Sequence, residues 1–88
     1  MKILLAEDDK VCQNAIKTFS KKFGIECHVA NNGVEAFEYC KANNDYSIIL
    51  MDLGMEPMDG FQATKEIRSL SYGPNFNIIA LSGGKCYL

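Results

Sequence analysis

Three places along this chain set oxygen ligands where a short apolar run ends. Glu7-Asp8 follows Ile3-Leu4-Leu5-Ala6, Asp52 follows Ile48-Ile49-Leu50-Met51, and Ser82 follows Ile78-Ile79-Ala80-Leu81. Short apolar runs without alternation read as strands buried on both faces, and open parallel sheets place their chemistry at the carboxyl ends of such strands. If these tips are neighbours, three carboxylates share one edge and repel one another unless a cation sits among them. Hard oxygen ligands at an open edge suit Mg²⁺, which takes one or two carboxylates and keeps several waters. A hydroxyl at the same edge, and a glycine-bearing turn from Gly54 to Gly60 whose backbone N–H groups can approach an anion, complete a set suited to phosphoryl transfer. In that reaction positioning and charge neutralisation do most of the work. Singly, each piece is ordinary: Glu7-Asp8-Asp9 is also a solvated helix start, Asp52 a turn former and Ser82 a loop hydroxyl. Their recurrence at successive strand ends is what points to a site.

The elements that must hold these groups follow from the hydrophobic period. Residues 2–6 form a first strand, and from Lys10 the pattern turns helical through Val11, Ala15, Ile16, Phe19 and Phe23. Asp8 or Asp9 can cap that helix, and Lys21-Lys22 with Gly24 mark its end. Residues 25–30 form a second strand, with Glu26 and His28 alternating as on an edge strand with one wetter face. After the turn Asn31-Asn32-Gly33, a second helix carries the stripe Val34, Phe37, Cys40. Residues 47–51 are a third strand, and Phe61, Ala63, Thr64, Ile67 and Leu70 a third helix. A loop with Gly73-Pro74 leads to a fourth strand over 77–81. The alternation implies an α/β fold with a doubly wound parallel sheet joined by right-handed crossovers. Phe19, Phe23, Phe37 and Phe61 are expected in the core, Met51, Met55 and Met58 as fillers around the loop, and His28 in solvent.

The chain has 88 residues, enough for one domain over 1–88, and 48% apolar with 23% charged residues is an ordinary globular balance. A net charge of −2 opposes direct nucleic-acid binding. No apolar run approaches the roughly 20 residues of a membrane span. The opening Met1-Lys2-Ile3-Leu4-Leu5-Ala6 is cut short by Glu7-Asp8-Asp9, too acidic for a signal peptide, so a cytoplasmic location is the expectation. Cys12, Cys27, Cys40 and Cys86 match no zinc or CxxC spacing and read as free thiols.

These motifs resemble the receiver domain of two-component response regulators and hybrid histidine kinases. Ile3-Leu4-Leu5-Ala6-Glu7-Asp8-Asp9 resembles the family's first strand with its acidic pair, and Asn31-Asn32-Gly33-Val34-Glu35-Ala36 its second turn and helix start. Met51-Asp52-Leu53-Gly54-Met55-Glu56-Pro57-Met58-Asp59-Gly60 resembles the phosphoacceptor loop, and Ile78-Ile79-Ala80-Leu81-Ser82 the fourth strand with its switch hydroxyl. The resemblance implies a flavodoxin-like sheet of strand order 2-1-3-4. It implies that Asp52 accepts a phosphoryl group from a phosphohistidine on a histidine kinase or histidine phosphotransfer protein. Asp8 and Asp52 would bind Mg²⁺ through carboxylates, Glu7 through water and Gly54 through its backbone carbonyl, while Ser82 would hydrogen-bond the phosphoryl group. Such a domain is not an enzyme with a separate substrate, although it assists its own phosphorylation and dephosphorylation. Asp9 matches no family ligand and reads as a helix cap.

Two departures stand out. Glu56 separates Met55 from Pro57 where the family has Met-Pro directly, adding a negative charge to the loop. The family also continues with a helix, a strand ending in Lys-Pro and a last helix; here the final residue is Leu88, and Lys85 is not at the lysine's position. The expectation is a C-terminally truncated receiver with part of one sheet face and the fourth strand's edge uncovered, hence marginal stability or a dimer. Two other functions remain open on sequence: a degenerate receiver serving as a protein-interaction module, and a Mg²⁺-dependent phosphohydrolase. The latter needs further acids and a substrate cap, for which the chain has little room.

Overall fold

The structure, a computed structural model, describes residues 1–81. In chain order it consists of β1 (Lys2–Ala6), α1 (Lys10–Lys22), β2 (Glu26–Ala30), α2 (Gly33–Ala42), β3 (Ile48–Asp52), α3 (Gly60–Arg68), a single 3-10 turn (Gly73–Asn75) and β4 (Ile78–Leu81). The strands form one sheet in the order β2-β1-β3-β4, every pair parallel, as the family resemblance implied. β3 runs one residue further than expected, so that Asp52 pairs with Leu81 inside the ladder. The residues expected to lie beyond β4, including Ser82, Lys85 and Cys86, fall outside the described residues.

Each helix starts on a side-chain cap just after a strand or its following loop. Asp9 accepts from the Val11 N–H at 2.8 Å, Asn32 from the Glu35 N–H at 2.9 Å, and Asp59 from the Gln62 N–H at 2.8 Å. Asp9 rather than Asp8 is therefore the cap of α1, which leaves Asp8 free for the sheet edge. At the other end of α1, Gly24 takes a φ of 68°, and the Ile25 N–H turns back to the Ser20 carbonyl at 2.8 Å.

Alternation along the buried strands sends side chains to two cores. Leu4, Ile49 and Met51 meet Ala36, Cys40, Ala63 and Ile67 of α2 and α3, whereas Ile3 and Leu5 meet Cys12 and Ile16 of α1. Three of the four phenylalanines expected in the core are not there: Phe19, Phe23 and Phe61 are 52%, 60% and 68% exposed. α1 instead buries Cys12, Gln13, Ile16 and Ser20, and α3 buries Gly60, Ala63 and Ile67. Small side chains let these helices lie close to the sheet, so the aromatic row of α1 is turned outward, where Phe19 and Phe23 stack on each other at 4.8 Å between centroids. Phe37 is half-buried against the core, and the aromatic cores come from Tyr46 and Phe76, in segments that read as loop. Met51 and Met55 are buried and Met58 half-buried, in the filling role expected of them.

His28 is partly buried and paired rather than simply facing solvent. Its Nδ1 lies 2.7 Å from the Tyr46 hydroxyl and its Nε2 2.7 Å from Glu26. Lys2 reaches Asn43 at 2.7 Å and Asp45 at 2.8 Å, with its ammonium 5.1 Å from the Tyr46 ring centroid. This polar girdle closes the sheet edge opposite the acids. The Lys2 bond holds the Asp45 carboxyl below its usual range. Tyr46→Phe removes the hydroxyl that His28 uses, and a loss of about 1 kcal/mol in urea unfolding is expected, since a buried hydrogen bond contributes that much net.

Cys12 and Cys40 are buried and Cys27 is half-buried, and Cys27 and Cys40 are free thiols. Burial pushes the Cys40 thiol up to about 12, which makes it a poor nucleophile. On the α1 side Ile48 and Leu50 are only partly covered, and Ile79 of β4 is 50% exposed. Among the described residues no helix is long and apolar enough to cross a membrane.

Candidate functional site

Register brings the acids together. Ala6, the last residue of β1, pairs with Ala30 on one side and Met51 on the other, so the chain leaves β1 directly beside the end of β3. The Glu7 N–H donates to the Ala30 carbonyl at 3.0 Å, which carries the ladder one residue past β1. Carboxylate oxygens of Glu7, Asp8 and Asp52 then lie within 4.8 Å of one another. Glu7 and Asp52 are each 1% exposed and form the floor; Asp8 is exposed at the rim.

The hydrogen bonds are incomplete in an informative way. Glu7 Oε1 accepts the Asp9 N–H at 3.1 Å, but its Oε2 is buried with no partner. Asp52 Oδ1 accepts the Gly54 N–H at 3.1 Å. Burial raises the Glu7 carboxyl from 4.5 to about 7, the Asp9 N–H opposes this, and the neighbouring Asp52 and Asp8 carboxylates add to it. Near neutral pH Glu7 therefore keeps a proton part of the time. A divalent cation can replace that proton, and the donors fit one: all are hard oxygens, one is orphaned, and the open rim admits water to complete an octahedron.

Of the residues singled out from sequence, the structure thus gathers Glu7, Asp8, Asp52 and Gly54. Gly54 enters through its N–H, whereas the expectation concerned its carbonyl. Ser82 lies outside the described residues, but its predecessor Leu81 pairs with Asp52, so β4 arrives at the same edge. Glu56 is exposed on the loop.

The loop after Asp52 is pinned at both ends. The Leu53 N–H donates to the Leu81 carbonyl at 3.2 Å, Met55 is buried beneath the loop, and the Met58 carbonyl accepts the Gly33 N–H of α2 at 2.8 Å. A methyl group on Gly33 would run into that carbonyl and into the Met58 side chain. Gly33→Ala is therefore expected to lift the loop, with a loss of roughly 1–3 kcal/mol in thermal or urea unfolding, the usual range for overpacking.

Sequence reading missed Gln13. It is a buried amide on the sheet-facing side of α1, bonded to the Glu7 carbonyl and to Asn31. The available signal was a polar residue next to Cys12 and four before Lys17, which only the helix's rotation could mark as inward.

Residues 3–86 match the family described as response regulator receiver domain. The chain is 42% identical over 85 residues to hybrid signal transduction histidine kinase F of Dictyostelium discoideum, covering 92% of this chain and 8% of that protein. It is 38% identical over 81 residues to the autoinducer 1 sensor kinase/phosphatase LuxN of Vibrio campbellii, covering 92% and 9%. Among solved structures, it superposes with a TM-score of 0.85 and 34% identity on the receiver domain of a sensor histidine kinase from Pseudomonas aeruginosa PAO1, solved with magnesium coordinated in the active site cleft. A Francisella response regulator receiver domain gives a TM-score of 0.81 at 36% identity. The chain spans 64% of the length of each of these two solved chains, with 90% and 92% of its own residues covered. Sequence and fold agree, and the chain belongs to the response regulator receiver domain family of two-component signalling.

Proposed function

We propose that residues 1–88 act as one phosphoacceptor domain in a His-to-Asp phosphorelay, with Asp52 taking the phosphoryl group. The observation that carries this reading is the convergence of Glu7, Asp8 and Asp52 on one open edge with a buried Glu7 oxygen left unpartnered. Asp52 sits inside the strand ladder, and the Gly54 N–H engages one of its oxygens, leaving the other to react. That oxygen attacks phosphorus on the phosphohistidine of a histidine kinase or histidine phosphotransfer protein. The O–P bond forms as the P–N bond breaks, and the imidazole leaves with the electron pair and takes a proton from water. Hydrolysis of the acyl phosphate by water later returns the carboxylate and inorganic phosphate.

Asp8 and Asp52 would hold Mg²⁺ through their carboxylates, Glu7 through a water, and Gly54 through its carbonyl; the relative from Pseudomonas aeruginosa carries magnesium in its active site cleft. When bound, Mg²⁺ neutralises charge between the acids and the phosphoryl oxygens. Ser82 would donate its hydroxyl to the phosphoryl group. The domain works in the cytoplasm without touching nucleic acid. Ile79, half-exposed on β4, makes self-association through that face or edge the expected behaviour at high concentration, read by light scattering.

The test is incubation with Mg²⁺ and acetyl phosphate followed by intact-mass measurement. One added phosphoryl group, lost on removing Mg²⁺, is expected; no adduct at any Mg²⁺ concentration overturns the reading. It would favour instead an interaction module without phosphorylation, for which Glu56, a negative charge exposed on the acceptor loop, is the supporting observation.

A further inference from the structure

α1 turns an amide into the protein interior. Gln13 is 4% exposed, among Cys12, Ile16 and Ser20 on the buried side of the helix. Its Nε2 donates to the Glu7 backbone carbonyl and, at 2.9 Å, to Asn31 Oδ1. Its Oε1 accepts from Lys10 at 3.4 Å, and Lys10 also reaches Asn31 Oδ1 at 3.0 Å. Asn31 in turn donates its backbone N–H and its side-chain amide to Glu35 of α2 at 3.0 and 3.1 Å. One side chain therefore ties the turn after β1 to the turn after β2 and the first turn of α2.

An amide withdrawn from water is costly unless its hydrogen bonds are remade, so what Gln13 holds matters more than the space it fills. It holds Glu7. The Glu7 N–H is fixed by the Ala30 carbonyl at 3.0 Å, and the Glu7 carbonyl is fixed by Gln13. With both backbone handles tied, the Glu7 side chain has a set direction, toward Asp52. The carbonyl that Gln13 grips belongs to the peptide joining Glu7 to Asp8, so the same bond orients Asp8 at the rim.

We propose that Gln13 is a positioning residue for the acidic pocket, fixing the Glu7–Asp8 peptide so that both carboxylates meet Asp52 at the geometry a small divalent cation requires. This rests on the reading of Glu7, Asp8 and Asp52 as a cation site. Partners that orient metal ligands commonly change metal affinity 10- to 100-fold on removal. Mg²⁺ demands near-ideal octahedral geometry, whereas Ca²⁺ accepts flexible and larger coordination. Loss of positioning must therefore cost Mg²⁺ more than Ca²⁺. A residue that merely filled space would change stability and leave that ratio alone.

The experiment titrates MgCl₂ and CaCl₂ separately into the full 88-residue chain by calorimetry, at a temperature where all variants are folded by circular dichroism. Gln13→Met keeps length and removes the donor. Its Mg²⁺ affinity is expected to fall roughly tenfold, with a much smaller change for Ca²⁺. Should Gln13→Met not fold, Asn31→Ala, on an exposed side chain, releases the other end of the amide and is expected to lower Mg²⁺ affinity several-fold with the same Mg²⁺ preference in the loss. Unchanged Mg²⁺ affinity, or equal losses for the two ions, in a wild-type chain that binds Mg²⁺ and is phosphorylated on Asp52, overturns the role of Gln13 alone. No saturable Mg²⁺ binding by the wild-type chain overturns the cation site and the role of Gln13 together.

Discussion

Replacing Asp52 by asparagine is expected to abolish the phosphoryl adduct proposed there and, at the same time, to make the metal-free protein more stable. The first effect follows because an amide oxygen is no nucleophile toward phosphorus at neutral pH. The second follows from the crowding of the pocket. Asp52 and Glu7 are buried together, and Asp52 is among the causes that raise Glu7 to about 7. Asparagine is isosteric and its oxygen can keep the Gly54 N–H, so the packing survives while one of three repelling charges goes. A gain on the order of 1 kcal/mol in EDTA near neutral pH is expected, the size of a shift of about one pKa unit. Intact-mass spectrometry after acetyl phosphate reads the first effect and urea unfolding the second. An adduct that persists in Asp52→Asn would move the acceptor to another side chain. An unchanged or lowered stability would mean that the acids do not repel each other in the folded chain.

Magnesium is expected to offset much of the dependence of stability on pH. Glu7 titrates at about 7 in the folded chain against 4.5 for a free carboxyl, so folding takes up a proton at this group. Its contribution is fully present below about pH 4.5 and is lost as pH rises through about 7. Metal binding runs the other way, because a cation takes the deprotonated carboxylate. At a hundredfold excess over its dissociation constant a ligand adds about 2.7 kcal/mol. In a domain of this size each kcal/mol moves the melting temperature by roughly 4–8 °C. Melting curves without Mg²⁺ should therefore fall between about pH 5 and pH 8, while added Mg²⁺ raises the midpoint by roughly 10 °C or more near pH 8 and by little near pH 5. A Mg²⁺ effect of equal size at both pH values would detach the cation from Glu7.

The acidic edge was legible in the sequence because each acid's place at a strand tip needs only strand phase, and the family resemblance supplied the strand order that makes those tips neighbours. A buried parallel strand is an apolar run, its end is where the run stops, and right-handed crossovers leave few orders for four such strands. Glu7, Asp8 and Asp52 met as a result, and Asp9 proved to be the cap that its place before a helix suggested. Rotation of α1 was not legible. Val11, Ala15, Phe19 and Phe23 repeat every four residues, but so do Cys12, Ile16 and Ser20, and periodicity carries no information on which row faces inward. Closeness to the sheet decided for the smaller row. His28 with Tyr46, and Gln13 with Asn31, were invisible for another reason: each pair is 18 residues apart on different elements, and no local pattern announces a long-range hydrogen bond.

The bond from Gly33 to Met58 has a last consequence. That N–H is the first of α2, one of the helix-end amides that find no partner within their own helix. Any motion that pulls the acceptor loop away strips the amide of the carbonyl it uses, so loop and helix must travel together or part at a cost of about 1 kcal/mol. A displacement of the loop that follows Asp52 is thus handed to the first turn of α2 through main-chain atoms.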